Sequence, residues 1–245
     1  MRHSKTITWL SPQDEPAWFP PLEQALDEPS GLLAAGGDLS TERLLSAYSR
    51  GIFPWYSPGQ PVLWWSPDPR AVLFPEEFRC SRSLGKTLRN GGFESAINRN
   101  FRGVIEGCAA PRERSLGTWI TPEMLAAYVE LHRRGYAHSI ETYRGSELVG
   151  GLYGVRLGAV FFGESMFSRE RDASKVALAR LVEACLSEAI VVIDCQMASN
   201  HLESLGSRRI PRARFQALCR EHASLTPLPL PSLWPLPGAK TQLPA

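Results

Sequence analysis

The strongest indication of the fold lies in residues 137–168, AHSIETYRGSELVGGLYGVRLGAVFFGESMFS. It divides into three segments rich in apolar and β-branched residues, 137–143, 147–158 and 159–168. The turn RGSE joins the first two segments, and a bend at Gly158 joins the second to the third. Short strands that are joined by tight turns pair with their neighbours, so the stretch predicts an antiparallel meander of three strands.

Helical segments flank this meander on both sides. Four precede it and two follow it: STERLLSAYSRG, SRSLGKTLRNGG, FRGVIEGCA, TPEMLAAYVELHRRG, DASKVALARLVEACLSEA and PRARFQALCREH. Asp172 is the expected N-cap of the fifth helix, and the apolar strand IVVIDCQ follows that helix. This order predicts an α+β fold with a mixed, mostly antiparallel sheet flanked by helices.

Composition shifts divide the chain into three parts. Residues 1–61 are rich in proline, glycine and tryptophan and carry one clear helix, which indicates a small N-terminal module. The larger domain is expected over 62–225. Residues 226–245 contain six prolines and read as an irregular tail.

Several functional classes find no support in the sequence. It has no apolar run of membrane-spanning length and no secretory leader at its start, so we expect a cytoplasmic protein. The five cysteines are scattered without metal-binding spacing, and the five histidines form no H-E-x-x-H, so we expect no metal. Neither G-x-G-x-x-G nor a Walker A sequence occurs, and we expect no nucleotide cofactor.

Positive charge is concentrated in two segments although the net charge is only +2. Residues 79–102 hold six basic residues against Glu94, and residues 207–220 hold five arginines and no acid. Clustered cations on a nearly neutral protein are typical of a footprint for a polyanion such as a phosphate backbone. Two solvated helix faces would give the same pattern.

Carboxylates interrupt two apolar strands. Side chains alternate along a strand, so Phe162, Glu164 and Met166 are expected on one face of the third segment. Asp194 and Gln196 are expected together on one face of IVVIDCQ. Buried carboxylates are costly unless they are paired, so these positions indicate either a reactive site or a structural hydrogen-bond network. A hydrolase nucleophile elbow is excluded, because the glycine it needs is replaced by Phe167.

Tryptophans lie in loops rich in glycine and proline. Loop tryptophans near basic clusters can stack on unpaired bases. Their commoner role is to join a small module to a larger one, which we expect of Trp64 and Trp65. Trp55 and Trp119 remain candidates for base stacking.

With these segments in view, the sequence resembles the leucyl/phenylalanyl-tRNA–protein transferases. The matching stretches run in the family's order from about Gly31 to Phe215: GLLAAGGDLS, RGIFPWYSPGQPVLWWSPDPRAVLFP, SRS, VIEGCA, GTWIT, AHSIE, LVGGLYGV, FFGESMFS, DASK, IDCQ and SLG. The resemblance implies a bacterial, cytosolic enzyme whose larger domain is similar to the GNAT acyltransferase fold. It implies transfer of leucine or phenylalanine, and less readily methionine, from charged tRNA to an N-terminal arginine or lysine, which marks the acceptor for N-degron degradation.

The resemblance also implies roles for the polar strand residues. It places Asp194 with Gln196 beside the attacking amine, and it has Glu164 orient and attract the basic acceptor. Four residues match positions of the aminoacyl pocket: Phe161, Met166, Leu152 and Leu181. Phe161 lies opposite Glu164 in a regular strand, so a shared pocket requires a bulge at Gly163 or a pocket that curls around the strand.

The donor side is implied in the same way. Trp55 matches the residue that stacks on the 3′-terminal adenosine of the tRNA, and Trp119 matches one that helps to hold it. Arg82, Lys86 and Arg89 fall in the family's basic helix for the tRNA acceptor arm. The implied partners are Leu-tRNA, Phe-tRNA and acceptor proteins that begin with Arg or Lys, served by a monomer without a cofactor.

Two other functions stay open from the residues alone. One is a module that binds a tRNA 3′ end or an N-degron without turnover, although a pure binder needs no proton-handling groups such as Glu164 and Asp194. The other is an acyltransferase that uses acyl-CoA, but the sequence lacks the glycine-rich pyrophosphate loop that this donor usually requires.

Overall fold

A computed structural model describes residues 5–111, 119–227 and 243, and within them two sheets account for all the strands. The smaller sheet has the order β1-β2-β4-β3, and helix α1 connects β2 to β3 along the chain. Its elements are β1 Thr8–Leu10, β2 Leu32–Gly36, α1 Thr41–Ser49, β3 Phe53–Pro54 and β4 Leu63–Trp65. The boundary expected after residue 61 lies just before β4. It would separate β4 from β2 and β3, the two strands with which β4 pairs.

The larger sheet has seven strands in the order β11-β5-β10-β9-β8-β7-β6. The strands are β5 Arg70–Leu73, β6 Glu94–Ile97, β7 Ala137–Arg144, β8 Glu147–Leu157, β9 Val160–Ser168, β10 Val192–Gln196 and β11 Arg208–Ile210. Only β9 and β10 pair in parallel, while every other neighbouring pair is antiparallel. The predicted α+β class, the mixed sheet and the meander of β7, β8 and β9 are confirmed.

Helices cover both faces of this sheet. They are α2 Arg82–Asn90, α3 Phe101–Ala109, α4 Pro122–Arg133, α5 Ala173–Ser187, α6 Asn200–Ser204 and α7 Arg212–His222. One apolar cluster joins α1, α3, α4 and the smaller sheet to one face. A second cluster joins α2 and α5 to the other face. No helix in the described ranges is long and apolar enough to cross a membrane.

The start of α5 differs from the sequence prediction. Asp172 is left-handed, with φ 67°, and its side chain makes no capping bond. It pairs instead with Lys175, at 2.8 Å between Oδ1 and Nζ. The Ser168 hydroxyl accepts the Ser174 backbone N–H at 3.1 Å, so a residue at the end of β9 satisfies this helix end. Asp172 thus occupies the N-cap position as predicted, but its side chain does not make the capping bond.

Candidate active site

A gap opens where β9 and β10 stop pairing. Their parallel ladder ends at the pair Asp194 and Phe162. Beyond it β9 shifts register against β8: Gly163 lies opposite Gly154, and Ser165 lies opposite Tyr153. Glu164 is the extra residue of this bulge, and bulges near functional sites commonly redirect a side chain.

The bulge changes which side chains share a face. Met166 packs with Phe161 in the cluster beneath α5, whereas Phe162 belongs to the cluster on the opposite face. The regular alternation that put Met166 on the face of Glu164 was therefore wrong. The bulge required to bring Phe161 and Met166 together is present, and Glu164 turns toward α1 and α4.

Glu164 lies at the centre of a buried hydrogen-bond network. Its Oε1 accepts the Tyr48 hydroxyl at 2.8 Å and the Gln196 side-chain amide at 3.0 Å, and its Oε2 accepts the Tyr128 hydroxyl at 2.7 Å. The two tyrosine hydroxyls also contact each other. A carboxylate offers about four acceptor positions, so this network leaves one for a ligand.

Burial controls the charge of this carboxyl group. Only 8% of Glu164 is exposed. Loss of water raises the pKa of Glu164 to about 7, against the lowering effect of the Tyr128 and Tyr48 hydrogen bonds, and the nearby charge of Asp194 adds to the rise. Burial also raises the pKa values of Tyr48 and Tyr128 well above their usual range, so both stay protonated donors. Glu164 can therefore gain or lose a proton near neutral pH.

Asp194 forms a buried ion pair next to this network, and it borders the same gap. Its Oδ1 accepts Nε of Arg70 at 2.8 Å, and its Oδ2 accepts Nη2 of the same guanidinium at 2.7 Å. Both side chains are 0% exposed. The backbone N–H of Gln196 also donates to Oδ1, at 3.0 Å. The carboxylate of Asp194 is thus bound on both oxygens by other parts of the protein.

A mostly apolar cavity of about 300 Å³ extends from Glu164 into the gap. Leu152, Met166 and Leu181 line it, and Leu178 and Ile193 extend the apolar wall. Phe161 is fully buried in the cluster behind this wall, outside the lining. Such a cavity can hold an aliphatic or aromatic side chain close to the carboxyl group.

The two candidate tryptophans differ in position. Trp119 lines the cavity. Trp55 lies outside its lining and is 43% exposed. Its ring packs edge-on against Trp65 with 5.6 Å between ring centroids, and its carbonyl oxygen accepts the Trp65 indole N–H at 2.7 Å. Trp55 therefore presents a held aromatic face to solvent.

Helix α2 carries positive charge that no ion pair compensates. Arg82, Lys86 and Arg89 are exposed on one face at spacings of four and three residues, and none has an ion pair with a described residue. In the second basic segment Arg208 pairs with Glu77 and Arg209 with Glu203, whereas Arg212, Arg214 and Arg220 form no ion pair with a described residue. Cations without an ion pair therefore lie on both α2 and α7, and ion pairing does not distinguish the two helices as a polyanion footprint.

Sequence reasoning missed Tyr48, Tyr128 and Arg70. Each acts on a partner far away in the chain: Tyr48 lies 116 residues from Glu164, and Arg70 lies 124 from Asp194. The one available signal was an arginine at the start of the apolar strand RAVL, where a buried cation needs a partner. Among the described residues no group of three or more metal-ligating side chains could hold a metal ion.

Two family models match the chain and cover most of it. The model described as leucyl/phenylalanyl-tRNA protein transferase matches residues 72–220, and the model of that family's N-terminal domain matches residues 37–68. The chain belongs to this transferase family. The resemblance on the quoted motifs is confirmed.

Curated relatives agree with this assignment. A protein named leucyl/phenylalanyl-tRNA–protein transferase from Pseudomonas entomophila is 60% identical over 209 residues, which cover 85% of this chain and 92% of the relative. A relative of the same name from Nitrosomonas eutropha is 60% identical over 200 residues, covering 82% and 86%. Among solved structures, a GCN5-related N-acetyltransferase-like protein from Streptococcus suis matches with a TM-score of 0.36 at 16% identity, covering 66% of this chain and 61% of that one.

Proposed function

We propose that the chain transfers leucine or phenylalanine, and less readily methionine, from charged tRNA to the N-terminal arginine or lysine of acceptor proteins, and so marks them for degradation. The observation that carries the proposal is the Glu164 carboxyl group, with a pKa of about 7, at the inner end of an apolar cavity. The family membership and the names of the curated relatives support the same reaction.

The reaction is aminolysis of an activated ester. The nitrogen of the acceptor amine attacks the ester carbonyl, an amide bond forms and the bond to the ribose oxygen breaks. The amine loses one proton and the ribose oxygen gains one. Because the ester is already activated, the protein mainly has to align the two substrates and handle these protons.

Glu164 is the group that we assign to the acceptor amine. In its ionised form it attracts the positive charges of an N-terminal arginine or lysine, and its remaining acceptor position can take an N–H of the amine. The Gln196 amide, bound to Oε1 of Glu164, fixes the carboxyl group toward the cavity. Asp194, which we expect beside the amine, borders the same cavity, and its two oxygens are bonded to Arg70 and to the backbone N–H of Gln196.

The donor fits the other features of the site. The apolar wall of Leu152, Met166 and Leu181 suits an unbranched or γ-branched side chain. We assign stacking on the terminal adenosine to Trp55 and Trp119, and contact with the acceptor-arm phosphates to the exposed cations of α2.

An assay of turnover separates this function from that of a binding module. Catalytic amounts of the chain, excess Leu-tRNA and a peptide that starts with arginine should yield many leucylated peptides for each protein molecule. A module would form a stable complex and leave the ester intact. Acetyl-CoA in place of Leu-tRNA tests the acyl-CoA alternative, and we expect no product from it.

A further inference from the structure

Arg70 is a heavily constrained charged group near the site and does not line the cavity. Its guanidinium lies between the rings of Phe53 and Phe215, 4.8 Å from each centroid. Nη1 donates to the Gly51 carbonyl oxygen at 3.0 Å, and Nε and Nη2 bind the two oxygens of Asp194. Parts of β3, α7 and the loop after α1 therefore fix one guanidinium in one orientation.

Burial of this ion pair calls for an explanation beyond stability. Removing two charges from water is expensive, and well-packed apolar residues often stabilise a protein as much as a buried pair does. What the pair adds is direction, because a bidentate guanidinium holds a carboxylate in one plane. Oδ1 of Asp194 is thereby aimed at the backbone N–H of Gln196, at 3.0 Å.

Gln196 needs such a constraint. Its φ is 60°, in the left-handed region that non-glycine residues seldom adopt, and β10 shifts register there against β5. Strained backbone persists where surrounding groups determine it. In this conformation the Gln196 side chain reaches Oε1 of Glu164 at 3.0 Å. A continuous chain of bonds therefore runs from Arg70 through Asp194 and Gln196 to Glu164.

We propose that Arg70 is a positioning residue for aminoacyl transfer, acting through Asp194 to hold Gln196 in its left-handed conformation and so to orient Glu164. The inference rests on the proposed function. Asp194 then acts as a relay, because its effect on the reaction passes through Gln196. The carboxyl group of Glu164 handles the proton, and the carboxyl group of Asp194 orients Gln196.

A double-mutant cycle on the single-turnover transfer rate tests the relay. Arg70→Lys removes the bidentate geometry and keeps the charge. Residues that orient the ligands of a metal from outside typically contribute about 10–100-fold, and by analogy we expect Arg70→Lys to lower the transfer rate by about that factor with tRNA affinity unchanged. In a Gln196→Ala background the same substitution should cost less than about threefold, since coupled groups are non-additive.

Two controls separate positioning from a general loss of folding. Arg43→Lys alters a comparably buried arginine in α1, bonded to the carbonyl oxygens of Ser11 and Asp14, and should leave the rate per folded molecule unchanged. Thermal unfolding gives the folded fraction of each variant. If Arg70→Lys does not fold, Asp194→Asn, which keeps the shape of the relay, takes its place in the cycle.

The outcomes are distinct. Loss of rate that disappears in the Gln196→Ala background supports the relay. An equal factor lost with and without Gln196, or a rate for Arg70→Lys within about threefold of the unmodified chain, overturns it. Absence of transfer by the unmodified chain would instead contradict the proposed function.

Discussion

The pH dependence of transfer should reveal two ionisations, and the perturbation that separates them is Glu164→Gln. A pKa of about 7 leaves about a tenth of Glu164 ionised at pH 6 and about nine-tenths at pH 8. The acceptor α-amine, with an ordinary pKa of about 7.7–8.0, must also lose its proton before it attacks. At pH values below both pKa values, kcat/KM of the unmodified chain should therefore decrease by up to about a hundredfold for each unit by which the pH is lowered. In Glu164→Gln the decrease should be only about tenfold per pH unit.

The assay is transfer of labelled leucine to an arginine-starting peptide under kcat/KM conditions, from pH 5.5 to 8.5. Donor hydrolysis without enzyme is subtracted at each pH, because the ester is labile in alkali. Glutamine keeps the shape of Glu164 and removes its titration, so Gln196 and the tyrosines retain a partner. A decrease of kcat/KM by only about tenfold per pH unit in the unmodified chain would refute the assignment of proton handling to Glu164. A decrease of about a hundredfold per pH unit that persists in Glu164→Gln would refute it as well.

Three further predictions concern the donor footprint, the pocket and stability. Changing Lys86 and Arg89 to Glu should weaken binding of Leu-tRNA and Phe-tRNA alike, and it should flatten the slope of log affinity against log salt by about 0.7–0.9 for each lost phosphate contact. Arg209 is already paired with Glu203, so Arg209→Glu should change neither the affinity nor the slope. Equal slopes for the unmodified chain and both variants would place the footprint elsewhere. Ile-tRNA should donate at least about tenfold more slowly than Leu-tRNA in a side-by-side assay, because the β-branch of isoleucine adds a methyl group next to the reacting ester; comparable rates would contradict this pocket. Burial raises the pKa of Glu141 to about 7, so its stabilising contribution is complete below its unfolded pKa of 4.5 and is lost as pH rises through 7. In denaturant unfolding, the free energy of unfolding of Glu141→Gln should rise relative to that of the unmodified chain by up to about 3 kcal/mol between pH 5 and pH 8. Stability curves of the two proteins that run parallel with pH would disprove the shift.

The sequence predicts the scaffold because its signals are local. Alternating apolar residues and two tight turns between 137 and 168 predict the meander, and the capping residues Ser81 and Thr121 start α2 and α4 as expected. The site is less predictable, since its bonds join residues far apart in the chain. Glu164 draws attention as a carboxylate in an apolar strand, but the register shift that turns it toward Tyr48 depends on β8, and nothing near Asp194 indicates Arg70.

Recognition of the acceptor by Glu164 can be measured with a pair of matched peptides. Leu-tRNA is incubated with the unmodified chain and with one of two peptides that differ only in an N-terminal arginine or alanine, and the products are identified by mass spectrometry. We expect the arginine peptide to gain one leucine residue at its α-amine while the alanine peptide stays unmodified. Equal modification of both peptides would contradict acceptor recognition by Glu164, and modification of neither would contradict the transferase function itself.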